Sequence, residues 1–149
     1  MRTFGILANC DKPTAPETLR RIERKAAALG LRLVVCGRAG QHVPSAETVP
    51  EEAIGHSADA LMVLGGDGTM LRAVRVLQGA QTPIIGVNLG SLGFLASVTQ
   101  EKVEDALDCI VEGRCSIQER AVADGIVMRD GREISRYRAV NDMVIDRGA

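Results

Sequence analysis

The chain has 149 residues, 46% hydrophobic and 25% charged, with 18 basic side chains against 19 acidic ones. That is the balance of a soluble globular protein of one domain or slightly more. A net charge of −1 gives no broad basic face for nucleic acid or an anionic membrane. Three aromatics, Phe4, Phe94 and Tyr137, are too few for a base-stacking platform, and no apolar run approaches the roughly 18 residues of a membrane span.

Phe4 to Asn9 is a short apolar run of strand length, followed at once by Asp11 and Lys12, too short for a signal-peptide core. Pro16 and Glu17 suit the first turn of a helix, Leu19, Ile22, Ala26 and Leu29 follow at helical spacing, and Gly30 ends it. Leu31 to Cys36 returns as a strand, so the opening reads βαβ. Residues 37–57, with Gly37, Gly40, Pro44, Pro50 and Gly55, read as a loop with one short helix near Val49 to Ile54. Ala60 to Leu64 is a buried-looking strand that runs into Gly65-Gly66-Asp67-Gly68-Thr69. Met70, Ala73, Val74 and Leu77 then mark one helix face, with Arg72 and Arg75 off it and Gly79 as the stop. Pro83 to Val87 is a further strand, opening into a loop from Gly86 to Gly93. Thr99 reads as the N-cap of a helix whose core face is Val103, Ala106, Leu107, Ile110 and Val111, with Gly113 after its end.

Alternating strands and helices predict an α/β fold: an open, mostly parallel sheet with flanking helices. Beyond about Cys115 the helical period disappears. Asp130-Gly131 is a two-residue hairpin turn, because both residues tolerate the positive φ of a type I′ turn, and Ala139 to Ile145 reads as another strand. The expected division is therefore an α/β N-terminal domain over residues 1–118 and a β-rich unit over 119–149, which either docks on the first unit or belongs to a piece of something longer. About three strands cannot bury a sheet face alone. Cys10, Cys36, Cys109 and Cys115 lack CxxC spacing, and without a signal segment they are expected as reduced thiols in a cytoplasm. His42 and His56 stand at ligand spacing neither to each other nor to a cysteine pair, so no protein-held metal is expected.

Three segments carry candidate chemistry. Gly65 to Thr69 joins a strand to a helix at the carboxyl end of a sheet, where open α/β sheets bind ligands. Glycines there let phosphates approach the backbone, and the helix that follows presents its positive end. Asp67 costs electrostatic energy beside a phosphate unless it orients a hydroxyl, takes a proton or binds a metal; the simpler reading is that it N-caps the helix. Neither a P-loop nor GxGxxG is present, which argues against a Walker ATPase and a plain dehydrogenase. The second segment, Gly86-Val87-Asn88-Leu89-Gly90-Ser91-Leu92-Gly93-Phe94-Leu95, is either a binding loop or a crossover in which Phe94 and Leu95 plug the core. The third, Asn141-Asp142, interrupts an apolar run; it can hydrogen-bond a ribose, or it can form a bulge. Arg72 could reach back to phosphates, whereas Arg75 reads as a solvated charge.

In order and spacing these segments resemble the NAD kinase family. The resemblance covers nearly the whole chain, and its most specific part is the glycine-rich segment ending Gly93-Phe94-Leu95. The GGDGT run is less specific: lipid kinases carry a similar one, usually followed by Asn-Glu, where this chain has Met70-Leu71-Arg72. The resemblance implies transfer of a phosphoryl group from ATP or polyphosphate, with Mg²⁺ on the donor, to the adenosine ribose 2′-hydroxyl of NAD. Asp67 carries over as the catalytic base. Gly66, Gly68, Thr69, Arg72, Phe94, Asn141 and Asp142 carry over as dinucleotide- or phosphate-binding residues. It implies no nucleic-acid or membrane partner, and a homo-oligomer for the full-length protein. Family members continue into a larger β-rich domain that completes the site, so the resemblance implies that residues 1–118 are the α/β N-terminal domain and 119–149 the first strands of a truncated β-rich second domain, incomplete for activity. Two other readings share these features: a lipid or other small-molecule kinase with the same loop, and a non-catalytic nucleotide-binding module.

Overall fold

The structure is a computed structural model that describes residues 2–90, 93, 95–140 and 142–144. The chain divides into two compact units, Met1–Ser116 and Ile117–Ala149.

The first unit is a six-stranded, wholly parallel sheet in the order β3-β2-β1-β4-β5-β6. Its strands are β1 (Thr3–Ala8), β2 (Arg32–Val35), β3 (Glu47–Thr48), β4 (Ala60–Gly65), β5 (Ile84–Asn88) and β6 (Val98–Thr99). The helices α1 (Ala15–Ala28), α2 (Asp67–Leu77) and α3 (Val103–Val111) connect or follow them. β4 is buried along its whole length, as a central parallel strand covered on both faces must be. Its alternation builds two cores. Ala60, Met62 and Leu64 join Phe4, Ile6, Leu19, Ile22, Val103 and Leu107 under α1 and α3. Leu61 and Val63 join Leu7, Val34, Ile54, Ala73 and Leu77 under α2. Ion pairs Arg21–Glu104 at 2.9 Å and Lys25–Asp108 at 2.7 Å link α1 to α3. The strand order reverses between β1 and β4, so the crevice at their carboxyl ends is the topological switch point of the sheet.

Helix ends follow the sequence signals. Gly30 and Gly113 take φ of +65° and +70° just beyond α1 and α3. At α2 the left-handed position starts one residue earlier than expected, at Gln78 (φ +47°), with Gly79 following.

Four expectations need correction. Residues 37–57 hold more than one short helix: 3-10 turns Gly37–Gln41 and Glu51–His56 flank the short edge strand β3. Both turns are too brief to show a helical period. Thr99 caps no α-helix; a 3-10 turn, Gln100–Lys102, comes first, and the Thr99 side chain makes no cap bond to a backbone N–H. Val111 is exposed rather than on the core face, at the last residue of α3. The strand expected over Ala139 to Ile145 ends at Ala139. Residues 142–144 take no regular structure and find no ladder partner among the described residues, while Ile145 lies outside them.

Among the described residues the second unit is an antiparallel hairpin of β7 (Ala123–Arg129) and β8 (Arg132–Ala139), two of the about three strands expected. Asp130 (φ +49°) and Gly131 (φ +75°) make the turn with the positive φ pair of type I′. Ile126, Val127, Met128, Ile134 and Tyr137 are exposed on it.

Candidate active site

The site is assembled from the loops that leave β1, β4 and β5 at the carboxyl edge of the sheet. The Asn9 N–H extends the β1–β4 ladder by donating to Leu64 O at 2.8 Å, and the Leu89 N–H donates to Gly65 O at 3.2 Å. Thr14 Oγ1 donates to Leu89 O at 3.4 Å, so the loop after β1 is tied to the loop after β5. Asn88, buried where β5 ends, accepts the Gly90 N–H on its Oδ1 at 3.0 Å and fixes the start of the second glycine-rich loop.

The glycines divide by what surrounds them. A Cβ at Gly65 would lie 2.2 Å from Thr69 Oγ1, and one at Gly86 would lie 2.9 Å from the Ala96 backbone. A Cβ at Gly93 would lie 2.3 Å from the Asp67 carboxylate. Those three glycines are dictated by packing within the chain. Gly66, at the N-cap of α2, and Gly68, in its first turn, differ: no atom lies within 4 Å of either Cβ position, and neither has a positive φ. Within the described residues nothing steric demands glycine there, and in a helix glycine costs up to about 1 kcal/mol against alanine. The absent side chains leave the backbone of this turn open to solvent at the switch point.

Asp67 does not cap α2. Gly66 is the N-cap, with no side-chain cap bond, and Asp67 is the first helical residue. Its carboxylate instead accepts the Leu95 N–H on Oδ1 at 3.1 Å, 28 residues along the chain. It thereby joins the GGDGT turn to the second loop, lying against Gly93 where only a glycine fits. Thr69 is buried, its side chain over Gly65, so its contribution to this turn is packing.

Arg72 stands on the outer side of α2. Its guanidinium grips Glu51 of the second 3-10 turn, Nε to Oε1 at 2.7 Å with a second bond from Nη2 to Oε2. It also borders a cavity of about 320 Å³ at the carboxyl ends of β1 and β2, whose wall includes Asn9, Cys10, Asp11, Cys36 and Arg38. Arg38 in turn bonds Asp11. Burial pushes the Cys36 thiol up to about 11, so it stays protonated at neutral pH.

Gly66, Asp67, Gly68 and Thr69 are thus together with Gly93 and Leu95, and Arg72 follows on the same helix. Asp142 belongs to the second unit and is exposed there. Phe94 and Asn141 lie outside the described residues. Sequence reasoning missed Lys12, whose Nζ comes 3.8 Å from the Cβ position of Gly90 and so puts a cation beside the second loop. The placement follows from the turn after β1, where the Lys12 N–H donates to Asn9 O at 3.3 Å; a lone lysine in a loop carries no such signal. Among the described residues no group of three or more His, Cys, Asp or Glu side chains could hold a metal ion, and no helix is long and apolar enough to cross a membrane.

Comparison with known proteins agrees with the geometry. Residues 4–115 match the family model described as the ATP-NAD kinase N-terminal domain. The chain is 35% identical over its whole length to an NAD kinase of Syntrophotalea carbinolica, covering 53% of that protein. It is 37% identical over its whole length to one of Moorella thermoacetica, covering 48%. The chain therefore spans about half the length of the curated relatives it matches. Among solved structures, yeast NADH kinase complexed with NADH superposes at a TM-score of 0.80 and 19% identity, over 95% of this chain and 47% of the other. An NAD kinase from Archaeoglobus fulgidus in complex with ATP gives 0.59 at 23% identity, over 94% and 58%. At those identities the likeness to the solved structures is one of fold. The sheet, the GGDGT turn and the sequence match agree, and the chain belongs to the NAD kinase family.

Proposed function

We propose that the protein transfers a phosphoryl group from ATP, or from polyphosphate, to the 2′-hydroxyl of the adenosine ribose of NAD, forming NADP. The observation that carries this reading is the Asp67 carboxylate, anchored between two glycine-rich loops at the switch point of a parallel sheet. Asp67 orients the ribose hydroxyl and takes its proton as the oxygen attacks the terminal phosphorus. The new O–P bond forms while the bond to the leaving phosphate oxygen breaks. Such a transfer depends chiefly on positioning and on neutralising charge. Gly66 and Gly68 let the dinucleotide approach the backbone at the positive end of α2. Lys12 and Arg72 supply cations for phosphate, Arg72 by exchanging its carboxylate partner Glu51. Thr69 holds the turn by packing on Gly65, and Phe94, Asn141 and Asp142 complete the dinucleotide contacts. Mg²⁺ enters this reading on the donor's phosphates.

In this reading residues 1–118 are the α/β domain and 119–149 the opening strands of a β-rich second domain. The greater length of the relatives supports that division. The setting is cytoplasmic and the full-length protein a homo-oligomer. The test is acceptor identity, measured on the protein in its full reading frame with ATP and Mg²⁺. Product from NAD, with none from diacylglycerol or a sphingoid base, is expected. The reverse pattern would move the assignment to a lipid kinase that shares the loop.

A further inference from the structure

The turn that ends α3 brings two thiols together. Gly113, at φ +70°, lets its own N–H donate to Ile110 O at 3.1 Å and lets the Arg114 N–H donate to Cys109 O at 2.9 Å. These are the paired reversed bonds of a Schellman motif, which folds the chain back along the helix it has just left. Cys115, the next residue, is carried back toward Cys109 by that reversal, and the neighbouring Cys109 thiol, together with partial desolvation, raises the Cys115 pKa. Arg114 stands over the pair: Nη1 donates to Cys109 Sγ at 3.8 Å while Nε bonds Glu112. Cys115 is exposed and Cys109 half-buried, so solvent reaches the site. The other two cysteines are placed differently. Cys36 is buried, and the Cys36 and Cys10 thiols donate to the backbone carbonyls of Ile6 and Ala8 at 3.8 and 3.9 Å.

We propose that Cys109 and Cys115 form a reversible dithiol–disulfide site that reacts with low-molecular-weight disulfides of the glutathione class. One of the two sulfurs, as thiolate, attacks the small disulfide, forming a mixed disulfide and releasing one small thiolate. The second cysteine sulfur then attacks the first, closing the Cys109–Cys115 bond and releasing the other small thiolate. Two cysteine thiols are oxidised, one small disulfide is reduced to two thiols, and the two cysteine protons pass through water to the departing thiolates. The Schellman turn supplies what the second step needs, a resolving sulfur already in place. Cys115 stands one residue before the end of the first unit, so the bond pins the segment leaving that unit to the end of α3.

The test is equilibration of the full-length protein in glutathione buffers of graded redox ratio, acid quenching, alkylation and peptide mapping by mass spectrometry. A Cys109–Cys115 cross-link is expected, with an equilibrium constant at least roughly tenfold higher in the folded protein than in urea, the gain in effective concentration from the fold. Cys109→Ser and Cys115→Ser are each expected to leave the remaining cysteine as a stable glutathione adduct. Equal constants in folded and unfolded protein, or adducts on both cysteines without the cross-link, would overturn the proposal. The readout does not depend on any kinase activity, so its failure leaves the phosphoryl-transfer reading standing.

Discussion

Gly68 and Gly93 sit within the same pair of loops and are glycine for opposite reasons. At Gly68 a Cβ would meet no atom within 4 Å, whereas at Gly93 it would meet the Asp67 carboxylate at 2.3 Å. Gly68→Ala is therefore expected to stabilise the fold slightly, by up to about 1 kcal/mol in denaturant unfolding. On the proposed function its KM for NAD should rise, the methyl filling space that the proposal gives to the dinucleotide; a variant both more stable and unimpaired would refute that use of the space. Gly93→Ala should lower turnover, by forcing the second loop away from Asp67 and breaking the Leu95 bond. Cys36 links burial to pH. Its folded pKa is pushed up to about 11 against 9.0 for the free thiol, so the neutral form is favoured in the native state. Its contribution is fully present below about pH 9 and is lost as pH rises toward 11, where the unfolded chain releases a proton that the folded chain keeps. The loss is on the order of 2 kcal/mol. Cys36→Ala should flatten the alkaline limb of the stability profile, and an unchanged limb would assign it to other groups.

Elements were legible where local chemistry and burial agree. Apolar runs at β1, β4 and β5 are covered on both faces, and Gly30, Gly113 and Asp130-Gly131 occupy backbone conformations that their residue types favour. What stayed hidden was set by distant contacts or by elements too short for a period. β3 and the 3-10 turns are of the second kind. The Asp67–Leu95 bond and the Arg72–Glu51 pair are of the first, joining residues that no spacing rule connects. Of the site, the GGDGT turn could be read directly as a strand-to-helix junction, whereas the partners of its carboxylate could not. Two expectations belong at this scale. Leu107 is fully buried between α1 and the sheet, and Leu107→Ala should cost about 2–5 kcal/mol, measured by denaturant unfolding. A much smaller cost would mean that α3 packs less closely than described. Arg72→Ala should raise KM for the phosphorylated substrates more than it lowers kcat, if the guanidinium binds rather than reacts; an unchanged KM would leave Arg72 with only its bond to Glu51.

At the scale of the whole molecule, the strand order places the loops after β1, β4 and β5 around one crevice, and the hairpin that follows exposes Ile126, Val127, Met128, Ile134 and Tyr137. A two-stranded ribbon is marginal by itself, and the chain spans about half the length of the relatives it matches. The measurement that bears most directly on the assignment is NADP formation from NAD, ATP and Mg²⁺ by the full-length protein, compared with Asp67→Asn. The amide can still accept the Leu95 N–H, so melting should be little changed, while turnover should fall by roughly 10²–10⁴-fold, the usual worth of a general base. Undiminished turnover in a stable Asp67→Asn protein, or no NADP from the folded wild type with any phosphoryl donor, would contradict the account.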